Sequence, residues 1–416
     1  MCTHTKALFL FIINLTISPN LYALKFEHLS VADGLSQSVV LCILQDSKGF
    51  MWFGTEDGLN KYDAYKFTVY KHEPDNPNSL TNNYVWSIFE DHTGILWIAT
   101  GHGLDKFDPA HETFVHYRHD ENDPNSLSHN DVRAVYEDHT GTLWVGTLGG
   151  GLNQFVRKTE KFVHYQHDEN NPHSLSHNEI YWSGSLYEDS SGTLWIGTYG
   201  GGLNKFDRET KSFVRYQHDA NDPNSLSNNT IFAIYEDSTG SLWIGTDDGL
   251  NQFDRETFVH YLDDHIVNAI YEKGVLWIGT DSKGLYQFNS EKKTFVHYQH
   301  DNNDPHSLSN DYINIIYQDN THVLWIGTWG GGLNKVSETQ KFRLYQHHEP
   351  HSLSNNAVWA IYEDSHGILW IGTEGGGLNK FDRKTEKFVH YQHEENNPNS
   401  LISDDVYGIT EDQTGA

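Results

Sequence analysis

From residue 24 onward the chain alternates between short apolar runs and polar turn-forming segments, without the 3.6-residue periodicity of helices. The runs are rich in Val, Ile, Tyr, Phe and Trp, a composition typical of β-strands. Leu-Trp-Ile-Gly-Thr, or a close variant, recurs throughout, with its tryptophan at Trp52, Trp97, Trp144, Trp195, Trp243, Trp277, Trp325 and Trp370. The pattern therefore predicts an all-β chain built from one repeated unit.

One unit, which starts at Asp131, shows how its strands are joined. Asp138 to Gly141 has the Asp-x-x-Gly chemistry of a tight turn, a glycine cluster forms the second turn, and charged residues form the third. Four antiparallel strands per unit are typical of a β-propeller blade, whose two faces must be covered by neighbouring blades. The predicted strands are Val132–Tyr136, Leu143–Thr147, Leu152–Phe155 and Phe162–Gln166.

The number of blades in a ring stays open from the sequence. Residues 24–416 hold eight complete repeats and a partial ninth, so eight blades could close one ring, or seven could close and the rest begin a second. A short strand within Leu24–Leu29 is expected to complete the outer edge of the last blade. Because the chain stops at Gly415-Ala416, where the next Leu-Trp is due, we expect a C-terminally truncated array.

The net charge indicates which partners are disfavoured, and the N-terminal segment indicates where the protein is located. The chain has 57 Asp and Glu against 28 Lys and Arg, a net charge of −29 that disfavours nucleic acids and anionic membrane surfaces. Residues 1–23 read as a signal peptide, with Lys6 before an apolar run and Ala23 at a cleavage context. We therefore expect a periplasmic or secreted protein, with no membrane contact beyond that signal.

Catalytic and metal chemistry are not expected. The Asp of Asp-x-x-Gly recurs in repeat after repeat, whereas catalysis needs one convergent set, so we interpret it as a turn cap. The acidic loops, such as Asp120 to Asp123, lack the glycine and distal glutamate of calcium loops. His164 and His167 are three residues apart on a strand and so face opposite sides. The sequence predicts no catalytic residue, no cofactor and no metal.

Positions where the repeats disagree are the candidates for function. Two such positions, at the entry to the first strand and after Gly-Thr, should share one rim around the ring axis. Aromatic and polar groups gathered in a funnel suit a small-molecule or oligosaccharide ligand, although the same side chains could instead pack between blades. The candidate ligand-binding residues are Trp86, Arg133, Tyr181, Tyr199, Phe232, Asn314, Trp329 and Trp359.

The repeat itself, Glu-Asp-x-x-Gly-x-Leu-Trp-Ile-Gly-Thr-x-Gly-Gly-Gly-Leu-Asn preceded by Pro-x-Ser-Leu-Ser-x-Asn, resembles the two-component regulator propeller repeat. The opening Phe26 to Ser30 and Asp33 to Gln37 are similar to the start of that family's sensor domains. The resemblance implies the periplasmic sensor part of a signalling protein, often one that binds oligosaccharides, with a histidine kinase or cyclic-dinucleotide synthase as its output. Alternatives are a scaffold that binds a protein partner or its own copy as a homodimer, and an exported propeller lyase or glycosidase.

Overall fold

The computed structural model describes residues 24–109, 111–337, 352–364, 368–382 and 387–411. The predicted signal peptide, residues 1–23, lies outside the described residues. The chain divides into two compact units, Met1–Glu338 and Thr339–Ala416, which we call the first and second units. Apart from two single-turn 3-10 helices, Val31–Asp33 and Ser183–Ser185, the regular structure of the described residues is all strand.

Seven four-stranded antiparallel sheets form the blades of the first unit, each ordered from its first strand to its fourth. Blades 1 and 2 are β2 to β9, namely Val40–Gln45, Met51–Thr55, Gly58–Tyr62, Phe67–Tyr70, Val85–Glu90, Leu96–Thr100, Gly103–Asp108 and Thr113–Tyr117. Blades 3 and 4 are β10 to β17, namely Val132–Glu137, Leu143–Thr147, Gly151–Val156, Lys161–Tyr165, Leu186–Glu188, Leu194–Thr198, Gly202–Asp207 and Ser212–Tyr216.

Blades 5 and 6 are β18 to β25, namely Ile231–Glu236, Leu242–Thr246, Gly249–Phe253, Phe258–Tyr261, Val267–Glu272, Leu276–Thr280, Leu285–Asn289 and Thr294–Tyr298. Blade 7 is β26 (Ile313–Gln318), β27 (Val323–Thr328) and β28 (Leu333–Ser337), with β1 (Glu27–Leu29) as its fourth strand. The four strands predicted for the unit at Asp131 are confirmed to within one residue at each end.

The N-terminal strand closes the ring at seven blades. β1 pairs antiparallel with β28, which confirms the predicted role of the Leu24–Leu29 segment. Just before it, Phe26 is buried in the core between blades 6 and 7. Blade 7 then meets blade 1, where Val40 packs with Trp325 and Leu333. Of the two ring sizes that the sequence left open, the structure has seven blades.

Neighbouring blades approach most closely at the glycine of Leu-Trp-Ile-Gly-Thr. A Cβ placed on Gly197 would lie 2.5 Å from Cγ2 of Ile231, the first residue of the next blade's first strand. The same close approach joins the last blade to the first, since a Cβ on Gly327 would lie 2.9 Å from Cγ1 of Val40. A larger residue would push the blades apart, and the first-unit blades have glycine here except blade 2, where alanine (Ala99) is the residue.

The repeated aspartate ties the first hairpin of a blade to its tryptophan. Asp138 accepts hydrogen bonds from the backbone N–H groups of Thr140 (2.9 Å) and Thr142 (3.1 Å), which confirms the turn-capping interpretation. Its second oxygen accepts from Nε1 of Trp144 (2.7 Å) and from Arg208 of blade 4 (2.6 Å). The aspartate is therefore also an anchor between blades, a role that the turn motif alone does not indicate.

The second unit contains an eighth sheet of four antiparallel strands, β29 (Val358–Glu363), β30 (Leu369–Thr373), β31 (Gly377–Asp382) and β32 (Lys387–Tyr391). Val406, from the following repeat, lies against Gly372 in the same close approach seen between first-unit blades. Val358 is 40% exposed, whereas its equivalent in each first-unit blade is fully buried. The first residue of this sheet's first strand is therefore less covered than its first-unit equivalents.

Phe26→Ala tests ring closure by the N-terminal segment. Phe26 is 2% exposed, and loss of a buried phenylalanine costs about 3–5 kcal/mol. We expect the free energy of unfolding, measured by chemical denaturation, to fall by that amount. Tyr65→Ala, at a side chain that is 94% exposed, is the control and should change it by less than about 0.5 kcal/mol. Equal effects of the two substitutions would contradict the proposed closure.

Asp138→Asn tests the anchor between blades through pH. Burial alone would raise the pKa of Asp138, but hydrogen bonds from Thr140, Trp144 and Arg208 outweigh it and lower the pKa from 3.8 to about 2. The stability that this carboxylate contributes is therefore fully present above its unfolded pKa and is lost as pH falls towards the folded one. Denaturation across the acid range should show a shallower loss of stability in the variant than in the wild type, and parallel curves would exclude the anchor role.

Candidate functional site

Six blades share a β-bulge near the start of their first strand, and it changes the direction of one side chain in each. In six blades of the first unit, the pairing of the first and second strands shifts register around the strand's second residue. A β-bulge of this kind leaves one residue out of the ladder and re-aims its side chain. The bulged residues are Leu41, Trp86, Arg133, Phe232, Asn268 and Asn314.

Blade 4 departs from this pattern by an insertion. Its first strand begins only at Leu186, after the 3-10 helix Ser183–Ser185. Tyr181 and Trp182 precede that turn, with their rings 5.6 Å apart. The Trp182 ring lies 6.1 Å from Phe232 of blade 5. The unusual spacing of 51 residues between Trp144 and Trp195 is the sequence signal of this insertion.

A cavity of about 210 Å³ lies among these side chains. Five of the predicted ligand-binding residues line it together, from blades 2, 4, 5 and 7: Trp86, Tyr181, Tyr199, Phe232 and Trp329. The remaining lining residues are Trp182, Ile266, Asn268, Asp281 and Tyr312. We call this ten-residue site the axial cavity. Its volume lies below the range of about 300–1,000 Å³ that is usual for small-molecule sites.

The candidates chosen from the sequence did not include Trp182, Ile266, Asn268, Asp281 and Tyr312. Of these five, Ile266 and Tyr312 do not occupy either of the two variable positions. Each lies one residue before its first strand, at the entry from the long loop. The equivalent residue differs between repeats, for example Asp131 in blade 3 and Thr230 in blade 5. Comparison of the repeats one position further upstream would therefore have found both.

Pairs of aromatic rings form the walls of the axial cavity. Tyr181 and Tyr199 of blade 4 lie 5.2 Å apart with 33° between their planes. Tyr312 and Trp329 of blade 7 lie 5.5 Å apart with 35° between theirs. Each pair joins a residue near the strand entry to the residue after Gly-Thr, so the strand entry and the Gly-Thr turn lie close together in blades 4 and 7.

The polar groups of the axial cavity lie beside the blade 7 pair. Burial and the Asp281 carboxylate raise the pKa of Tyr312 to about 12, although a hydrogen bond with Asn268 opposes them. Burial and the neighbouring Asp247 carboxylate raise the pKa of Asp281. This side of the cavity therefore presents a phenol, an amide and a carboxylate next to two aromatic faces.

Arg133 lies beside the axial cavity and is held by the protein itself. Its guanidinium lies 3.7 Å from the centre of the Trp86 ring and 4.9 Å from that of Tyr181. Nε and Nη2 donate to the two oxygens of Asp131 at 2.7 and 2.9 Å. Arg133 is 7% exposed. The structure thus gives this residue the packing role that the sequence left open as an alternative.

Asn314 and Trp359 also lie apart from the axial cavity. Asn314 is buried, and its amide donates to the carbonyl of Val40 at 2.9 Å, which ties blade 7 to blade 1. Trp359 belongs to β29 of the second unit, where it is 56% exposed and its indole donates to Glu374 at 3.3 Å. Of the eight predicted residues, five therefore line the cavity, two support its surroundings, and one lies in the other unit.

Several buried polar atoms around the ring axis have no hydrogen-bond partner. Among the described residues these include Nε1 of Trp86, Nη1 of Arg133, Nε1 of Trp182 and Oδ1 of Asn314. Three of the four are donors, and the two indoles belong to the axial cavity. Each unpaired buried donor lowers the stability of the fold. Several such donors in one region indicate that this region is not optimised for stability alone.

A second cavity, of about 620 Å³, lies at the Asp-x-x-Gly hairpins on the opposite face. Its side chains are committed to joining the blades: His139 of blade 3 contacts Glu188 of blade 4 (2.6 Å), and Glu188 also accepts from Arg208 (2.5 Å). Within the described ranges, no group of three or more His, Cys, Asp or Glu side chains is placed to hold a metal ion.

Comparison with protein families identifies the repeat. The model described as "Two component regulator propeller" matches seven segments of the chain, residues 34–57, 79–102, 126–149, 174–200, 225–248, 307–330 and 352–375. The chain is built from two-component regulator propeller repeats. The six matches up to residue 330 fall on blades 1 to 5 and 7, and the seventh falls on the second unit. Blade 6 is not among the matched segments, and its first hairpin is shortened to Lys273-Gly274.

Solved structures agree with this assignment. The extracellular domain of a proposed hybrid two-component system from B. thetaiotaomicron is 32% identical, with a TM-score of 0.69, over 94% of this chain and 51% of that one. A second such extracellular domain from the same organism is 23% identical, with a TM-score of 0.63, over 94% and 50% of the two chains. The chain thus spans about half the length of these structures.

Two further similarities are more limited. A histidine kinase from Formosa agariphila is 45% identical over 56 residues, which are 14% of this chain and 4% of that protein. A streptogramin B lyase shares the fold alone, at 14% identity and a TM-score of 0.55, over 75% of this chain and 97% of that one. In the described part of the chain, no helix is long and apolar enough to cross a membrane.

Proposed function

We propose that the first unit is the ligand-sensing part of an exported two-component signalling protein, and that its axial cavity binds the end of an oligosaccharide. One observation carries the proposal. Five residues chosen only because the repeats disagree at their positions come from four blades and line one cavity. Side chains that the fold does not dictate, gathered at one place, are what a binding site requires.

The chemistry of the cavity favours a sugar. The C–H faces of a sugar ring stack on aromatic rings, and Tyr199 and Trp329 are 43% and 39% exposed, so their faces are available. The hydroxyls of a sugar need acceptors and donors, which Asp281, Asn268 and Tyr312 provide. A cavity of about 210 Å³ limits the enclosed part to about one ring, and the rest of an oligosaccharide would extend over the rim.

Signalling is the second part of the proposal. Relatives named as extracellular domains of hybrid two-component systems support an exported location and an output elsewhere in the full protein. A histidine kinase or a cyclic-dinucleotide synthase would supply that output. In this arrangement the propeller binds the ligand and transmits the binding event, and the catalytic groups belong to the output domain.

Trp329→Ala tests the site. Loss of a stacked aromatic ring should remove about 1.4 kcal/mol or more of binding energy, a tenfold or greater rise in Kd. Isothermal titration against a panel of gluco-, galacto-, manno-, xylo- and arabino-oligosaccharides measures it, with circular dichroism to confirm folding. Tyr65→Ala, on an exposed turn of blade 1, is the matched control and should leave Kd unchanged.

The same titration tests the prediction for Trp359. If only the axial cavity binds, Trp359→Ala leaves Kd unchanged. A loss of affinity in Trp359→Ala, with none in Trp329→Ala, would overturn the assignment of the site to the first unit. Saturable binding of a protein partner, with no binding of any sugar on the panel, would instead favour an interaction scaffold.

A further inference from the structure

The ring holds one cation in an aromatic cage that the protein fills itself. The Arg133 guanidinium lies between the rings of Trp86 and Tyr181, at 3.7 and 4.9 Å, and is neutralised by Asp131. Aromatic faces attract cations, and the attraction is stronger where water is excluded. This site has the complete combination: two aromatic rings, one carboxylate and one cation.

A second cage of the same composition lies on the other side of the axial cavity. The Tyr312 and Trp329 rings are 5.5 Å apart, and Asp281 lines the cavity beside them. In the described residues, no Lys or Arg lies over either ring, and no ion pair with Asp281 is formed. Lys283, two residues along the same turn, is exposed. Among the described residues, the second cage therefore has two aromatic rings and a carboxylate but no cation.

The raised pKa of Asp281 also indicates that this carboxylate would be stabilised by a cation. Its pKa is raised by burial first and then by the Asp247 carboxylate, with no positive group opposing them. A half-buried carboxylate with a like-charged neighbour is unfavourable as the anion, and a positive group in contact with it would relieve that cost. In the part of the chain that the structure describes, this site thus lacks a cation.

The indole N–H of Trp182, which also lines the cavity, needs a hydrogen-bond acceptor that an oxygen of the ligand can provide. Trp182 is 8% exposed, and its Nε1–H has no hydrogen-bond partner. A simple amine would leave this donor unpaired, whereas a sugar carries ring and hydroxyl oxygens that can accept from an indole. The cavity of about 210 Å³ accommodates one such ring.

We propose that the axial cavity binds a saccharide with a free, protonated amino group, the ammonium lying against Asp281 and the Tyr312–Trp329 rings. This inference rests on the proposed function for the location of the site, and it adds the chemical class of the ligand. The sugar oxygens accept from Trp182, and the protein's own filled cage at Arg133 forms the neighbouring wall.

Three ligands that differ only at carbon 2 test the proposal: glucosamine, N-acetylglucosamine and glucose. Isothermal titration near neutral pH should give glucosamine a Kd at least tenfold lower than either of the other two. Because the comparison is between ligands on one protein, it does not depend on any variant folding. Equal affinities for the three, or binding of none of them, would overturn the proposal.

Asp281→Asn should abolish the preference for glucosamine while leaving glucose binding within about twofold, since the amide keeps the shape and removes the charge. Glu56→Gln is the matched control. Glu56 occupies the equivalent rim position of blade 1, where Gln37 donates to it at 3.3 Å, and it does not line the axial cavity. A preference that persists in Asp281→Asn, or disappears in Glu56→Gln, would contradict the assignment.

Different experimental results would contradict the proposed function and the amino-sugar inference. Binding of neutral oligosaccharides that is sensitive to Trp329→Ala, with no preference for glucosamine, would leave the site in place and overturn the amino-sugar assignment. Ethanolamine provides the amine without the sugar. If it binds as tightly as glucosamine, the cavity is an amine site, and the assignment of a saccharide is wrong in both proposals.

Discussion

Each blade of this propeller has two apolar faces, and only neighbouring blades can bury them. The first unit meets this requirement by closing into a ring, with β1 from the start of the chain completing the blade at its end. Close stacking depends on the glycine after Trp-Ile, because a side chain there would meet the next blade's first strand, as at Gly197 and Ile231. Hydrogen bonds and ion pairs at the hairpins, such as Arg208 with Asp138, then fix neighbouring blades together.

In six blades of the ring, a bulge leaves one position outside the hydrogen-bonded ladder. The bulge takes the second residue of the first strand out of the sheet's hydrogen-bonding, so its side chain can vary without disturbing the stack. Six such positions surround the axis, and they hold residues as different as Leu41, Trp86 and Asn268. A nearly symmetric scaffold thereby carries an asymmetric cavity, which lies mainly among blades 4 to 7 because the aromatic pairs and the Trp182 insertion are there.

Much of this fold could be predicted from the sequence, because each strand and turn is specified locally and then repeated. The number of blades could not, since it depends on which strand pairs with β1, a contact across the whole unit. Comparison of the repeats found Tyr181, Tyr199 and Trp329, whose positions differ between blades. It could not separate side chains that face the cavity from those, like Asn314, that bond to the next blade's backbone. Nor could it place Trp359, because its repeat matches the others although it belongs to the second unit.

In this propeller the constant positions build the ring, and we propose that the varying positions on one rim hold the ligand. A crystal structure of the chain with the tightest-binding saccharide tests this most directly. We expect a sugar ring in the axial cavity, stacked on Trp329 or Tyr199 and within hydrogen-bonding distance of Asp281. A ligand bound instead at the hairpin face, among His92, His139 and Glu188, or along the outer strands, would contradict it.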